Sequence, residues 1–187
     1  EKADVIVDSV LDWKDEDNLH RLNGAEDEYY GSLPTPYKTR NASFETLEEL
    51  LLVRGVDADI LYGSRDRQGI FPFLTIAAGS GRINPGTAPR PVLLALPGMT
   101  PDAADRIIEY RRTSEIRSLE EVMNLVGGGY TQLAPYAGVS ESGYYSITAL
   151  GYREDESRGH AIAATIAFDN PPGYRIAYYK SPSGVKP

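Results

Sequence analysis

Gly143-Tyr144-Tyr145-Ser146-Ile147-Thr148-Ala149-Leu150-Gly151-Tyr152 is the stretch on which the fold class turns. It is rich in aromatic and β-branched residues, whose stiff or bulky side chains suit a pleated surface. Downstream, Glu154 to Gly159 reads as a charged turn and Ala161 to Phe168 as a second strand. Asp169-Asn170-Pro171-Pro172-Gly173 follows as a second turn, and Tyr174 to Lys180 as a third strand. The expectation is an antiparallel meander.

Upstream the pattern is helical from Asn41 to about Tyr136. A helical block followed by a run of strands makes the class α+β, with a helical domain over 1–136 and strands over 137–187. Thr46-Leu47-Glu48-Glu49-Leu50-Leu51-Leu52-Val53-Arg54-Gly55 is matched by Ser118-Leu119-Glu120-Glu121-Val122-Met123-Asn124-Leu125-Val126-Gly127. Each opens on a hydroxyl followed three residues later by Glu, the pattern that satisfies free amides at a helix start, and each closes on Gly. Partial internal repeat and chance likeness of two short amphipathic helices both fit.

Between these copies lie Ile83-Asn84-Pro85-Gly86-Thr87-Ala88, a helix to Leu96, and Leu96-Pro97-Gly98-Met99-Thr100. A helix from Pro101 to Arg112 follows, with Thr100 as its cap and proline at its first position. Ala103, Ile107 and Tyr110 form its apolar stripe. Nearer the start, Ile6, Val10 and Trp13 fall at helical spacing beside Val7 and Leu11, while Asp4, Asp8 and Asp12 line another face. This predicts a helix over 3–13, then an irregular segment with Asn23-Gly24, Gly31, Pro34 and Pro36.

Composition narrows the function. Nineteen basic against 27 acidic residues leave a net charge of −8, a field that repels nucleic acid and anionic lipid. There is no cysteine, hence no disulfide, thiolate metal site or cysteine nucleophile. The two histidines, His20 and His160, rule out a multi-histidine metal site. No apolar run approaches the roughly 18 to 20 residues that span a bilayer. The chain opens on Glu1 without a signal peptide, so we expect a processed or truncated piece with any anchor upstream.

Leu96 to Thr100 resembles the hairpin of helix-hairpin-helix proteins, in which backbone amides approach a phosphate. Residues 84–131 hold five arginines (90, 106, 111, 112, 117) against six carboxylates (102, 105, 109, 115, 120, 121), which is no electrostatic footprint for DNA. A packing role is the expectation. Catalysis finds little support either: Ser146 and Ser157 sit in no nucleophile-elbow pattern with His160, and Gly127-Gly128-Gly129 lacks the Lys and Ser/Thr of a phosphate loop. Asp57 and Asp59 are paired carboxylates without a visible cleft.

The first 31 residues carry ten carboxylates against Lys2, Lys14 and Arg21. Asp12, Asp15 and Asp17, with Glu26 after Gly24-Ala25, place several carboxylates on a helix end and the loop beyond it. Hard cations such as Ca²⁺ take six to eight oxygens and tolerate irregular geometry. With no thiolate and only His20 close by, zinc and copper fit less well. A solvated acidic surface is the other reading, and the spacing is not that of an EF-hand.

Taken in order, the chain resembles the K-type minor pseudopilin of bacterial type II secretion systems. The residues that carry the resemblance are Asp12-Trp13, Asp15, Asp17, Gly24-Ala25-Glu26 and Tyr30, then Pro36, Asn41, Phe44, Leu47-Glu48-Glu49-Leu50, Val53 and Gly55. Ile83-Asn84, Thr87-Ala88, Leu96-Pro97-Gly98 and Arg111 continue it. The resemblance implies a non-catalytic subunit at the tip of a pseudopilus, anchored in the inner membrane and facing the periplasm. Its partners would be the I- and J-type minor pseudopilins and the pseudopilus, with no nucleic acid. It also implies a calcium-binding, two-metal site, for which Asp12, Asp15, Asp17 and Glu26 are the candidate ligands. The fold implied is a helical insertion with helix-hairpin-helix or SAM-like elements over 1–136, followed by the remainder of a pilin-like sheet.

Two departures stand out. The family's disulfide cannot form without cysteine. Its long N-terminal helix and first strands should precede Asp12 by many residues, and only eleven are here, so an open sheet edge is expected. The rival reading is a helix-hairpin-helix DNA-binding protein of a DNA-uptake system.

Overall fold

The computed structural model describes residues 1–76, 81–140, 143–151, 160–170 and 173–181. The expected charged turn at 154–159, the Pro171-Pro172 turn and Ser157 lie outside them. The chain packs as two compact units, Glu1–Ile76 and Ala77–Pro187.

The first unit is organised by α1 (Lys2–Lys14), one residue longer at each end than its apolar spacing predicts. Ile6, Val10 and Trp13 turn inward as expected, whereas Val7 and Leu11 stay exposed. Short helices α2 (Asp27–Gly31) and α3 (Ala58–Leu61) and 3₁₀ helices over Leu47–Leu52 and Phe71–Phe73 complete the helical part. Trp13, Tyr30, Leu50, Val53 and Leu61 form its core. Trp13 meets Tyr30 edge to face at 5.3 Å, a favoured aromatic geometry.

One part of the helical reading is corrected here. Gly63–Ser64 (β1) pairs antiparallel with Arg67–Gln68 (β2) in a small hairpin inside the stretch read as helical. Asp66 and the glycines on either side are turn chemistry, and they outweigh a helical period that spans too few residues there.

In the second unit, α4 (Arg90–Leu94), α5 (Pro101–Tyr110), α6 (Leu119–Val126) and α7 (Tyr130–Leu133) surround Leu93, Ile107, Val122 and Leu133, all fully buried. Each such side chain contributes about 1.5–3 kcal/mol of burial. Thr100 caps α5 by accepting from the Ala103 amide at 3.2 Å. At α6 the Glu121 amide donates to Ser118 Oγ and the Ser118 amide donates back to Glu121 Oε2, each at 3.2 Å. The matching Thr46–Glu49 box is also formed, yet it starts a 3₁₀ rather than an α-helix, so the two copies share a cap and not a conformation. Arg111 Nη1 donates to the carbonyls of Pro85 and Ala88 at 3.1 and 2.8 Å, tying the Ile83–Ala88 loop to the end of α5.

The sheet is the expected meander, in the order β3 (Tyr144–Gly151), β4 (His160–Asn170), β5 (Gly173–Lys180). Register places Tyr145 and Ile147 opposite Ile166 and Ala164, and those opposite Ile176 and Tyr179. Period-2 alternation therefore puts Tyr145, Ile147, Ile166 and Ile176 on one face, while Ser146 and Thr165 pair across the other at 3.2 Å beside the buried Ala161 and Ala167. Among the described residues, none from the sheet joins either core, and both β3 and β5 are edges. Helices followed by this sheet make the fold α+β.

Candidate metal site

The local chain path explains why the carboxylates gather. α1 ends at Lys14 with Asp15 as its cap, still bonded from its amide to Leu11 at 3.1 Å. Beyond it Asp17 Oδ1 accepts the Leu19 amide at 2.8 Å, turning the chain back toward the helix. The return leg brings Gly24-Ala25-Glu26 against the end of α1, and Glu26 begins α2 as its cap residue. Arg54 anchors this leg from the core side: its Nη1 donates to the Gly24 carbonyl at 3.0 Å while its guanidinium lies 4.7 Å over the Tyr29 ring.

Gly24 is required by contact. A Cβ there would stand 1.8 Å from Asp12 Oδ2, well inside any permitted distance. The spacing of Gly24-Ala25-Glu26 after the acidic run is thus a packing demand made by Asp12.

Of the four candidate ligands, the structure brings three together. One carboxylate oxygen each from Asp15, Asp17 and Glu26 lies within 4.8 Å of the others. Oxygens across a calcium ion, bonded at about 2.3–2.6 Å, sit at most about 5 Å apart, so the separation fits one ion. Asp12 is at 0% exposure and has a different assignment. Both of its oxygens accept the Arg21 amide, at 3.3 and 3.1 Å, and Oδ1 also accepts Arg21 Nη1 at 2.5 Å.

Glu26 is the telling group. It is 3% exposed, and neither carboxylate oxygen has a hydrogen-bond partner. Burying an ionised carboxylate unpaired costs several kcal/mol, so such a group either takes a proton or meets a cation. Burial accordingly pushes the Glu26 carboxyl above its ordinary value, and the charges of Asp12, Asp15 and Asp17 push further the same way. The Thr39 hydroxyl, which would oppose this, gives its one proton to Asp27 at 2.8 Å. Asp15 Oδ1 is buried and unpartnered as well. An all-oxygen set with orphaned buried carboxylates fits a hard cation.

Two contributors escaped the sequence reading. Arg21 donates to both Asp12 and Asp15, and its only signal was being one of three cations among ten carboxylates. Asn41 has φ 49° and donates from Nδ2 to the Asp17 carbonyl at 3.0 Å, leaving Oδ1 buried and unpartnered. Asn41 lies outside the acidic stretch, and its signal was its place in the family resemblance. His20 is exposed, with Nδ1 2.9 Å from the Arg21 carbonyl, and takes no part in the cluster.

The hairpin at Leu96–Thr100 is occupied by packing. A Cβ on Gly98 would lie 2.2 Å from the Gly129 carbonyl oxygen, and one on Gly129 would lie 2.0 Å from that of Gly98. Gly98 and Gly129 need each other bare, which accounts for these two glycines without a phosphate, while Gly127 is set by its φ of 70°.

Comparison with known proteins agrees in both units. Models of the family described as "Type II secretion system (T2SS), protein K" match residues 1–64 and 83–140. Among curated relatives, the type II secretion system protein K of Pectobacterium carotovorum is 43% identical over 60 residues, covering 32% of this chain and 18% of its own length. That of Dickeya chrysanthemi is 29% identical over 124 residues, 66% of this chain and 34% of its own. That of Pseudomonas aeruginosa is 30% identical over 117 residues, 62% and 33%. The chain thus spans about a third or less of these relatives' lengths. In the crystal structure of the GspK-GspI-GspJ complex from the enterotoxigenic Escherichia coli type 2 secretion system, one chain shares this fold with a TM-score of 0.69 at 15% identity. The match covers 98% of this chain and 64% of that one. With its acidic loop and its paired glycine turns both falling inside matched segments, this chain belongs to the protein K family of the type II secretion system.

Proposed function

We propose that this chain is a non-catalytic minor pseudopilin, standing in the periplasm at the tip of a pseudopilus held in the inner membrane. Its task is assembly with the I- and J-type minor pseudopilins for protein export across the outer membrane. The family match in both units carries this reading. The name of the related complex, a K protein with its I and J companions, supports the choice of partners. Among the described residues no helix is long and apolar enough to cross a membrane, so anchoring would fall to another part of the protein.

The acidic loop is read as a structural calcium site held by Asp15, Asp17 and Glu26. A bound calcium ion supplies positive charge against carboxylates that otherwise repel. Glu26 contributes a buried carboxylate with no other partner, Asp15 and Asp17 close the loop at the end of α1, and Gly24 admits Asp12 beneath them. Fixing this loop fixes the end of α1 against the start of α2.

Size-exclusion chromatography of the chain mixed with I- and J-type minor pseudopilins tests the assembly role. Co-elution as one complex is expected, and separate elution at micromolar concentrations contradicts it. The DNA-binding alternative has no specific observation in its favour, since Gly98 is turned onto Gly129.

A further inference from the structure

We infer that Arg21 is a resident cation of the acidic loop and limits the site to one divalent ion, where the family resemblance implies two. This rests on the metal reading above and deepens it. Arg21 Nη1 sits 2.5 Å from Asp12 Oδ1 and 2.6 Å from Asp15 Oδ2, bridging two carboxylates as a metal ion would. Its backbone amide holds Asp12 as well, so the guanidinium is delivered by the same residue that seats its partner. Asp12 is fully buried and packed against Gly24, which leaves it no freedom to turn elsewhere.

Charge then decides the stoichiometry. Asp12, Asp15, Asp17 and Glu26 carry four negative charges, and Arg21 reduces these to three. One divalent ion on Asp15, Asp17 and Glu26 leaves a single negative charge. A second would make the pocket positive and would have to expel a guanidinium that stays protonated at any working pH. Asp15 serves both cations through different oxygens, Oδ2 to Arg21 and Oδ1, unpartnered within the protein, to the ion. Removing Arg21 restores four negative charges, frees Asp12 Oδ1 and Asp15 Oδ2, and opens room for a second ion.

Equilibrium dialysis against saturating Ca²⁺, at an ionic strength of about 0.15 M to screen exposed carboxylates, counts the ions directly. We expect one ion per chain for the wild type, two for Arg21→Gln and one for Arg21→Lys, with circular dichroism confirming each fold. Two ions on the wild type, one on a folded Arg21→Gln, or two on Arg21→Lys overturns the inference and leaves the metal site standing. No ion on the wild type overturns both. Should Arg21→Gln fail to fold, the wild-type count still decides: one supports the inference and two overturns it.

Discussion

Asp12 and Gly24 touch so closely that any side chain at position 24 has to displace the Asp12 carboxylate: a Cβ there would stand 1.8 Å from its Oδ2. Gly24→Ala must therefore push a fully buried carboxylate off the Arg21 amide. Overpacking of this kind costs about 1–3 kcal/mol. Urea denaturation of the variant should show that loss, together with a weakened calcium response, while an unchanged midpoint would mean that the loop is already loose.

The paired turns make a similar prediction in the second unit. Gly98→Ala has to move the Gly129 backbone and also adopt φ 77°, so a loss of roughly 1–3 kcal/mol is expected. A gel-shift titration at low salt should show no salt-sensitive DNA affinity for the wild type. A steep salt dependence would revive the phosphate-binding role of the hairpin.

Trp13→Ala removes the ring that meets Tyr30 and lines the core of the first unit. The expected cost is about 3–5 kcal/mol, measured by chemical denaturation. A cost below 1 kcal/mol would contradict the packing described.

Calcium stabilisation should depend on pH through Glu26. Its folded-state pKa is raised above 4.5, so without calcium its contribution to stability is present below that value and lost as pH rises through the raised one. With calcium the ionised form is the one bound, and protons compete with the ion. Asp27, Asp57 and Asp105 are shifted down and act in the opposite sense in both conditions. The difference between melts with calcium and with chelator cancels them, and it should shrink as pH is lowered through the raised value. A difference that grows on acidification would contradict Glu26 as a ligand.

Much of this was legible in the residues. The Ser118–Glu121 and Thr46–Glu49 pairs announced their helix starts because capping is a local interaction. Aromatic and β-branched residues from Tyr144 onward, broken by turn residues, announced the meander because strand and turn preferences are local too. The β1–β2 hairpin was hidden because four strand residues are too few for a period to show. At the site, Asp15, Asp17 and Glu26 were visible as types suited to calcium, but the part played by Asp12 was not. Whether it binds an ion or seats Arg21 depends on a close approach to Gly24 twelve residues on, and no spacing rule records that. Of the four carboxylates, Arg21 takes Asp12 outright and shares Asp15, which leaves Glu26 the buried one with no partner.

Thermal melts of the wild type and Glu26→Gln, each with calcium and with chelator at neutral pH, test the central claim most directly. For the wild type at about 100 Kd of calcium, linkage gives about 2.7 kcal/mol, or roughly 5–10 °C in a chain of this size. Glu26→Gln removes an unpaired buried charge, so its chelated midpoint should rise above the wild type's while its calcium shift falls away. Identical wild-type midpoints with and without calcium, or an undiminished shift in Glu26→Gln, would contradict the account.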